Sequence, residues 1–294
     1  MNNDERRLYA IVLRLAATRK GAIPADHGYQ AQSALLDLIR RSDSPLAEQL
    51  HNDNSAKPYT ISLLEGGKRG ADRARHFGEG DTADWRFTLM VEPAFEALLG
   101  RYLMSRELPH IRIGAVDFAI VDAFASGASH PESGHVSLGE LTERWNRIPE
   151  SLPTVIGMDF RSPTAFSLGT DKETNQRHWE SLPVPRLLFS SLRKRWARMG
   201  GAEPSDLFDT WVEENVRLEV VTLERRRVYI KRSPIDGFSG QVNYLVKPEL
   251  RWLPLLHLLT DLTFWTGVGY QPTQGLGQVR KLTKPAEPKI GAGW

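Results

Sequence analysis

Between Leu8 and Ala16 apolar residues alternate with others, placing Tyr9, Ile11, Leu13 and Leu15 on one face, the period of a half-buried strand. Beyond Thr18–Gly28, residues Ala31, Ala34, Leu35, Leu38 and Ile39 recur at helical spacing and predict a helix laid on that sheet. Tyr59–Leu64 and Trp85–Val91 predict strands, and the very polar stretch 66–84 between them predicts an exposed loop. A helix from Pro93 with Phe95, Leu98, Leu99, Tyr102 and Leu103 on one face, then a strand or hairpin over 111–126, completes the order β-α-β-β-α-β. That order is the ferredoxin-like split motif.

The segment Gly127–Pro153, rich in Gly, Ser, Pro and charge, reads as a boundary with at most a short helix near Leu138–Trp145. A similar order then begins again. Thr154–Phe160 predicts a strand; Leu188, Leu192, Trp196 and Met199 mark one helix, and Leu207, Phe208, Trp211 and Val212 another. Strands are expected over 217–223, 228–233 and 241–246, a helix through Leu255, Leu259, Leu262 and Trp265, and a last strand near 277–282. The expected fold class is α+β, tandem ferredoxin-like domains with a C-terminal glycine-rich loop. The expected division is an N-terminal domain over 1–130, a linker over 131–153, a C-terminal domain over 154–283 and a loose tail over 284–294.

Composition narrows the chemistry. The 294 residues contain no cysteine, which excludes disulfides, thiolate catalysis and cysteine-held zinc or iron–sulfur clusters. No run approaches 18 consecutive apolar residues and the N-terminus lacks an apolar signal segment, so a cytoplasmic protein without a membrane partner is expected. Net charge is only +2, but its distribution is uneven. Residues 1–150 hold 18 Lys and Arg against 21 Asp and Glu, whereas 151–294 hold 20 against 15. A polyanion is therefore expected mainly on the second half.

The stretch TGVGYQPTQGLGQV, Thr266–Val279, holds Gly267, Gly269, Gly275 and Gly277. Residues without a Cβ let backbone N–H groups come close to an anion, and a phosphate chain is the natural candidate. The glycines follow a predicted helix and precede a strand, which is the wrong order for a dinucleotide fingerprint, and no Gly-Lys-Ser/Thr follows. An ordinary connection between helix and strand accounts for the pattern equally well. Arg225, Arg226, Arg227, Lys231 and Arg232 cluster where alternate side chains of a strand would form a phosphate-binding ridge. No stacking aromatics of the RNA-recognition-motif kind are found on a third strand, and the eight tryptophans are assigned to packing.

Six segments in this order resemble the CRISPR-associated endoribonucleases that process precursor guide RNA: LYAIVLRL from Leu8, LHNDNSAKPYTISLLEG from Leu50, DFRSPTAFSLG from Asp159, LPVPRLLFSSLRKRW from Leu182, GFSG from Gly237, and DLTFWTGVGYQPTQGLGQV from Asp261. The resemblance implies metal-independent cleavage of CRISPR repeat RNA by its own 2′-hydroxyl, leaving a 2′,3′-cyclic phosphate and a 5′-hydroxyl. It implies no cofactor and no metal. CRISPR repeat or guide RNA is the expected partner, with CRISPR effector subunits as further partners and a monomer or homodimer as the form.

His51 and Lys57 resemble the family's active-site histidine and lysine, and Tyr29 a tyrosine that completes the site in some members. His51 is then a general acid or base, Lys57 a phosphate stabiliser and Tyr29 an orienting group, with His27 able to share the proton-transfer role. Gly267, Gly269, Gln271, Thr273, Gln274, Gly275 and Gly277 are carried over as RNA-contacting positions beside the arginine cluster. The competing reading is a catalytically silent guide-RNA-binding subunit of a CRISPR ribonucleoprotein. Tyr29, His51 and Lys57 distinguish the two, since a pure binder has no use for them.

Overall fold

The computed structural model describes residues 5–52, 57–103, 110–174, 177–205, 207–230, 233–247 and 249–287. The chain divides into two compact units, Met1–Leu138 with Pro272–Gly275, and Gly139–Gln271 with Leu276–Trp294. The unit change falls within the expected linker 131–153, and that segment is structured.

The first unit contains β1 (Arg7–Ala17), β2 (Gly21–Ile23), α1 (Gly28–Ser42), α2 (Ser44–Asn52), β3 (Tyr59–Ile61), β4 (Glu65–Gly66), β5 (Lys68–Arg69), β6 (Arg75–Phe77), β7 (Thr82–Leu89), α3 (Glu92–Leu98), β8 (His110–Ile113), β9 (Val116–Phe124) and β10 (Gly134–Ser137). Its main sheet runs β3-β7-β1-β9-β8, with β10 also on β1 and β4 on β7. β1 is central and antiparallel to β7 and β9, with Leu13 opposite Trp85 on one side and Ala123 on the other. This is the ferredoxin-like arrangement, with the first and third strands of the split motif adjacent. The alternation along β1 sends Tyr9, Ile11, Leu13 and Leu15 into the same core as Ala31, Leu35, Leu38 and Ile39 of α1.

The stretch 66–84 is not the exposed loop its polarity predicts. Residues 75–77 pair with β2 and with β5 in a small three-stranded sheet. Phe77 anchors it, buried in the core and set edge-on to Phe118 with ring centroids 5.2 Å apart. One aromatic among many polar residues carries little periodic signal, yet its burial holds the whole segment down.

The second unit contains α4 (Leu138–Trp145), whose first residue ends the first unit, then β11 (Val155–Thr164), β12 (Phe166–Thr170), β13 (Arg177–Glu180), α5 (Pro185–Arg198), α6 (Leu207–Asn215), β14 (Val216–Ile230), β15 (Ser233–Val246), α7 (Leu253–Thr266) and β16 (Val279–Lys281). Its sheet order, β14-β15-β11-β16, repeats the ferredoxin-like arrangement. Phe189, Leu192 and Trp196 of α5, Phe208 and Trp211 of α6, and Leu256, Leu259 and Leu262 of α7 are buried with Val242 and Tyr244 of β15. The strands expected over 217–223 and 228–233 are instead one strand, β14, which pairs with β15 along its length and carries a register shift between Val220 and Thr222. That irregularity absorbs the break in alternation that suggested two strands. No helix among the described residues is long and apolar enough to cross a membrane.

Candidate functional site

The first turn of α1 is held by a buried histidine. His27 is fully buried; its Nδ1 lies 2.8 Å from the Pro24 carbonyl and its Nε2 lies 2.9 Å from the Leu64 amide. An amide can only donate, so Nε2 accepts and Nδ1–H donates to Pro24. The ring is therefore neutral with both nitrogens occupied. Burial is the main cause that lowers its pKa to about 4, with the charge of Arg75 acting in the same direction. Both ring nitrogens of His27, for which a share in the proton-transfer role was expected, are thus engaged by backbone groups.

At the same helix start, Gly28 abuts the turn Pro272–Gln274. A Cβ at Gly28 would lie 1.9 Å from the Gln274 carbonyl oxygen, so only glycine permits this approach. Gln274 Nε2 donates to Gln32 Oε1 at 3.2 Å, and Gln32 Nε2 donates to the Tyr59 hydroxyl at 2.9 Å. The turn, α1 and β3 are thus joined by side-chain amides. Tyr29, one residue on, is exposed.

His51 sits exposed on the last turn of α2, and Lys57 follows the helix half-buried. Lys57 Nζ donates to the Leu50 carbonyl at 3.1 Å and to the His51 carbonyl at 2.5 Å. A cation on the orphan carbonyls of a helix C-terminus is favoured by the helix dipole as well as by hydrogen bonding. The structure therefore brings Lys57 and His51 together through the backbone. Among the described residues no hydrogen bond joins Tyr29 to either.

In the second unit the glycine-rich segment is packed against protein rather than opened to solvent. Gly267 N–H donates to Thr263, Val268 N–H to Gly277, Tyr270 N–H to Ala165 and Gly277 N–H to Pro163. At Gly277, φ is +64° and a Cβ would lie 1.9 Å from the Val268 carbonyl oxygen. The glycines at 267 and 277, expected to contact RNA, serve a tight backbone crossing, and their amides bond to backbone carbonyls there. Three of the resembling segments meet here, since Phe160 of β11 pairs with Gly240 of β15 and Thr164 with Phe238.

Arg195 of α5 is half-buried. Its guanidinium donates to the carbonyls of Thr266 at 2.7 Å and Gly269 at 2.9 Å, and burial lowers its pKa to about 10. It fixes the start of the glycine-rich segment. Arg193 is buried, bonded to Asp209 through Nε at 3.2 Å and Nη2 at 3.1 Å.

Arg225, Arg226 and Arg227 are exposed on β14, but two of them are already matched. Arg226 lies 2.6 Å from Glu224, and Arg227 makes a two-pronged pair with Asp236 across the ladder at 2.7 and 2.8 Å. Arg225 makes no ion pair among the described residues. Lys231 and Arg232 lie outside the described residues. Beside Arg226, a groove of about 330 Å³ is lined by Asp159, Phe160, Arg161, Thr222, Ser239 and Gly240. Sequence reasoning named Gln274 as an RNA-contacting position but missed Gln32 and the bond between them, because nothing local links two glutamines 242 positions apart.

A family model described as CRISPR-associated endoribonuclease Cas6 matches residues 158–279, and one described as CRISPR-associated protein Cas6, N-terminal, matches residues 22–123. Among solved structures, a Cas6 product complex superposes with a TM-score of 0.73 at 23% identity, covering 94% of this chain and 100% of the other. Thermus thermophilus Cas6 gives 0.67 at 23% identity over 94% and 98%, and a Cas6-related protein from Pyrococcus furiosus gives 0.61 at 16% over 95% and 99%. No curated protein matches the chain.

Proposed function

The chain belongs to the Cas6 family of CRISPR-associated endoribonucleases, which process CRISPR repeat RNA, and we propose that it cuts that RNA without a metal, using His51, Lys57 and Tyr29. In this reaction the 2′-oxygen at the cut forms a bond to the adjacent phosphorus while the bond from phosphorus to the 5′-oxygen breaks. One proton leaves the 2′-hydroxyl and another reaches the departing 5′-oxygen. The products are a 2′,3′-cyclic phosphate and a 5′-hydroxyl.

The observation that carries the reading is the junction at the end of α2, where an ammonium group bonded to the carbonyl of His51 adjoins an exposed histidine. An imidazole is the side chain whose ordinary pKa suits proton transfer near neutrality. Lys57 fixes the last turn of α2, and its positive charge is available to the phosphate as negative charge builds on the non-bridging oxygens. Tyr29, exposed on the first turn of α1, orients the 2′-hydroxyl. His27 acts indirectly, setting where that turn begins.

The test is cleavage of a labelled repeat RNA from the host's own CRISPR array in excess EDTA, beside the same RNA carrying a 2′-deoxy sugar at the cut. Wild type cuts once and leaves the deoxy substrate intact. His51→Ala binds equally well but cuts slower by about 10²–10⁴-fold, the usual contribution of a positioned acid or base. A wild-type protein that binds the RNA tightly and never cuts it would make this chain a guide-RNA binder and end the catalytic reading.

A further inference from the structure

The small sheet that replaces the expected loop presents arginines in an arrangement that is unfavourable on its own. In the β5–β6 hairpin, Arg69 stands directly opposite Arg75 on the neighbouring strand, and Lys68 opposite His76. Like charges facing each other across a ladder repel, and sheets ordinarily avoid the pairing. Arg73, in the turn between them, adopts φ +62°, a conformation that side chains other than glycine rarely take.

Among the described residues no carboxylate forms an ion pair with these arginines, and the attraction of nearby Glu65 for Arg75 is weaker than the repulsion from Arg69. Asp72, within the turn, is engaged with His76 at 3.1 Å. Lys68, Arg69, Arg73 and Arg75 make no ion pair among the described residues, and Arg75 donates only to the Gly66 carbonyl, at 2.7 Å. The contrast with β14 is direct, because Arg226 and Arg227 there are each bonded to a carboxylate. Two arginines of the segment predicted to hold a polyanion are thus matched by carboxylates, whereas Arg69, Arg73 and Arg75, in the acidic half of the chain, form no ion pair among the described residues.

The hairpin is also firmly seated and well placed. Strand alternation puts Arg75 on the same side as Phe77, with Ile23 opposite it on β2, and both apolar side chains are buried in the core. Burial, then the neighbouring Arg69, depresses the basicity of Arg75, and its own charge reaches His27 at the head of α1. Arg75 therefore lies near the helix start that carries Tyr29, with Arg69 beside it on the neighbouring strand.

We infer that the β5–β6 hairpin is a second phosphate-binding surface for the repeat RNA, with Arg69 and Arg75 as paired contacts and Arg73 at the tip. A polyanionic backbone relieves the repulsion between the arginines, and their fork-shaped donors suit phosphate oxygens. These contacts position the RNA and carry no sequence preference. The inference rests on the repeat-RNA reading given above.

The experiment measures binding and single-turnover cleavage of the same repeat RNA by the full chain over a range of salt concentrations. Arg69→Gln/Arg73→Gln leaves the Arg75 contact to Gly66 in place and so spares the fold, which a thermal melt checks. It weakens binding by about tenfold near physiological salt and flattens the plot of log affinity against log salt by about 1.5, reflecting two lost phosphate contacts. The cleavage rate at saturating RNA stays at the wild-type value, and Arg69→Lys/Arg73→Lys recovers most of the slope. Unchanged affinity and slope in a folded glutamine variant, with wild type still binding and cutting, overturn the inference alone. A wild-type protein that does not bind the RNA overturns both this inference and the function on which it rests.

Discussion

Replacing His27 by alanine separates a structural histidine from a catalytic one. The variant strips buried partners from the Pro24 carbonyl and the Leu64 amide and leaves a void where the ring was. Each unsatisfied buried group costs about 1–3 kcal/mol, so a loss of about 2–4 kcal/mol is expected at neutral pH. The pH dependence sharpens the test. The folded pKa is lowered from 6.5 to about 4, so below 6.5 the unfolded chain binds a proton that the folded protein resists. The histidine's contribution is thus fully present above pH 6.5 and is lost as pH falls toward 4. At about 1.4 kcal/mol per pH unit, that loss approaches 3 kcal/mol. Urea denaturation followed by tryptophan fluorescence should therefore show a gap between wild type and His27→Ala that is wide at pH 7.5 and closes toward pH 4. The rate of cutting at saturating RNA, measured on folded protein, should fall only a few-fold. A variant as stable as wild type, a gap constant from pH 7.5 to 4, or a hundredfold rate loss with stability intact would refute the argument.

Gly28→Ala should destabilise the protein although alanine is the better helix former. The new Cβ must move by roughly 1 Å to clear the Gln274 carbonyl, a cost of about 1–3 kcal/mol that exceeds the helical gain of up to about 1. A thermal melt reads the loss, and single-turnover cleavage should slow as Tyr29 shifts with its turn. Arg195→Met should cost about 2–4 kcal/mol in chemical denaturation, because the carbonyls of Thr266 and Gly269 both lose a buried partner. A neutral result at either position means that these close contacts do not constrain the fold.

The expected site residues His51 and Lys57, like Tyr29, came from the family resemblance and not from a local pattern. His51 and Lys57 are six positions apart, and the structure places Lys57 Nζ on the carbonyl of His51. Tyr29 was legible only through family resemblance, since an isolated tyrosine at a helix start has no distinctive pattern. The part played by His27 could not be read, because a histidine has the same letter whether its nitrogens face water or a carbonyl and an amide. The basic hairpin was hidden for a different reason, that its segment is too polar and too short in its strands to show a period.

Periodicities of two and 3.6 were enough to lay out both β-α-β-β-α-β units, because the face that each strand or helix buries is written in neighbouring residues. The same local pattern located the glycine-rich segment and limited the chemistry to groups other than cysteine. The tertiary structure alone decided which charges are matched, as Arg227 with Asp236 and Arg193 with Asp209, and which remain open, as Arg69 opposite Arg75. It alone set the turn Pro272–Gln274 against Gly28 and made the glycines a packing device. The physical reason is common to all of these. Burial, ion pairing and close backbone approach depend on which distant segments share a surface, and no residue's own neighbours in the chain specify that.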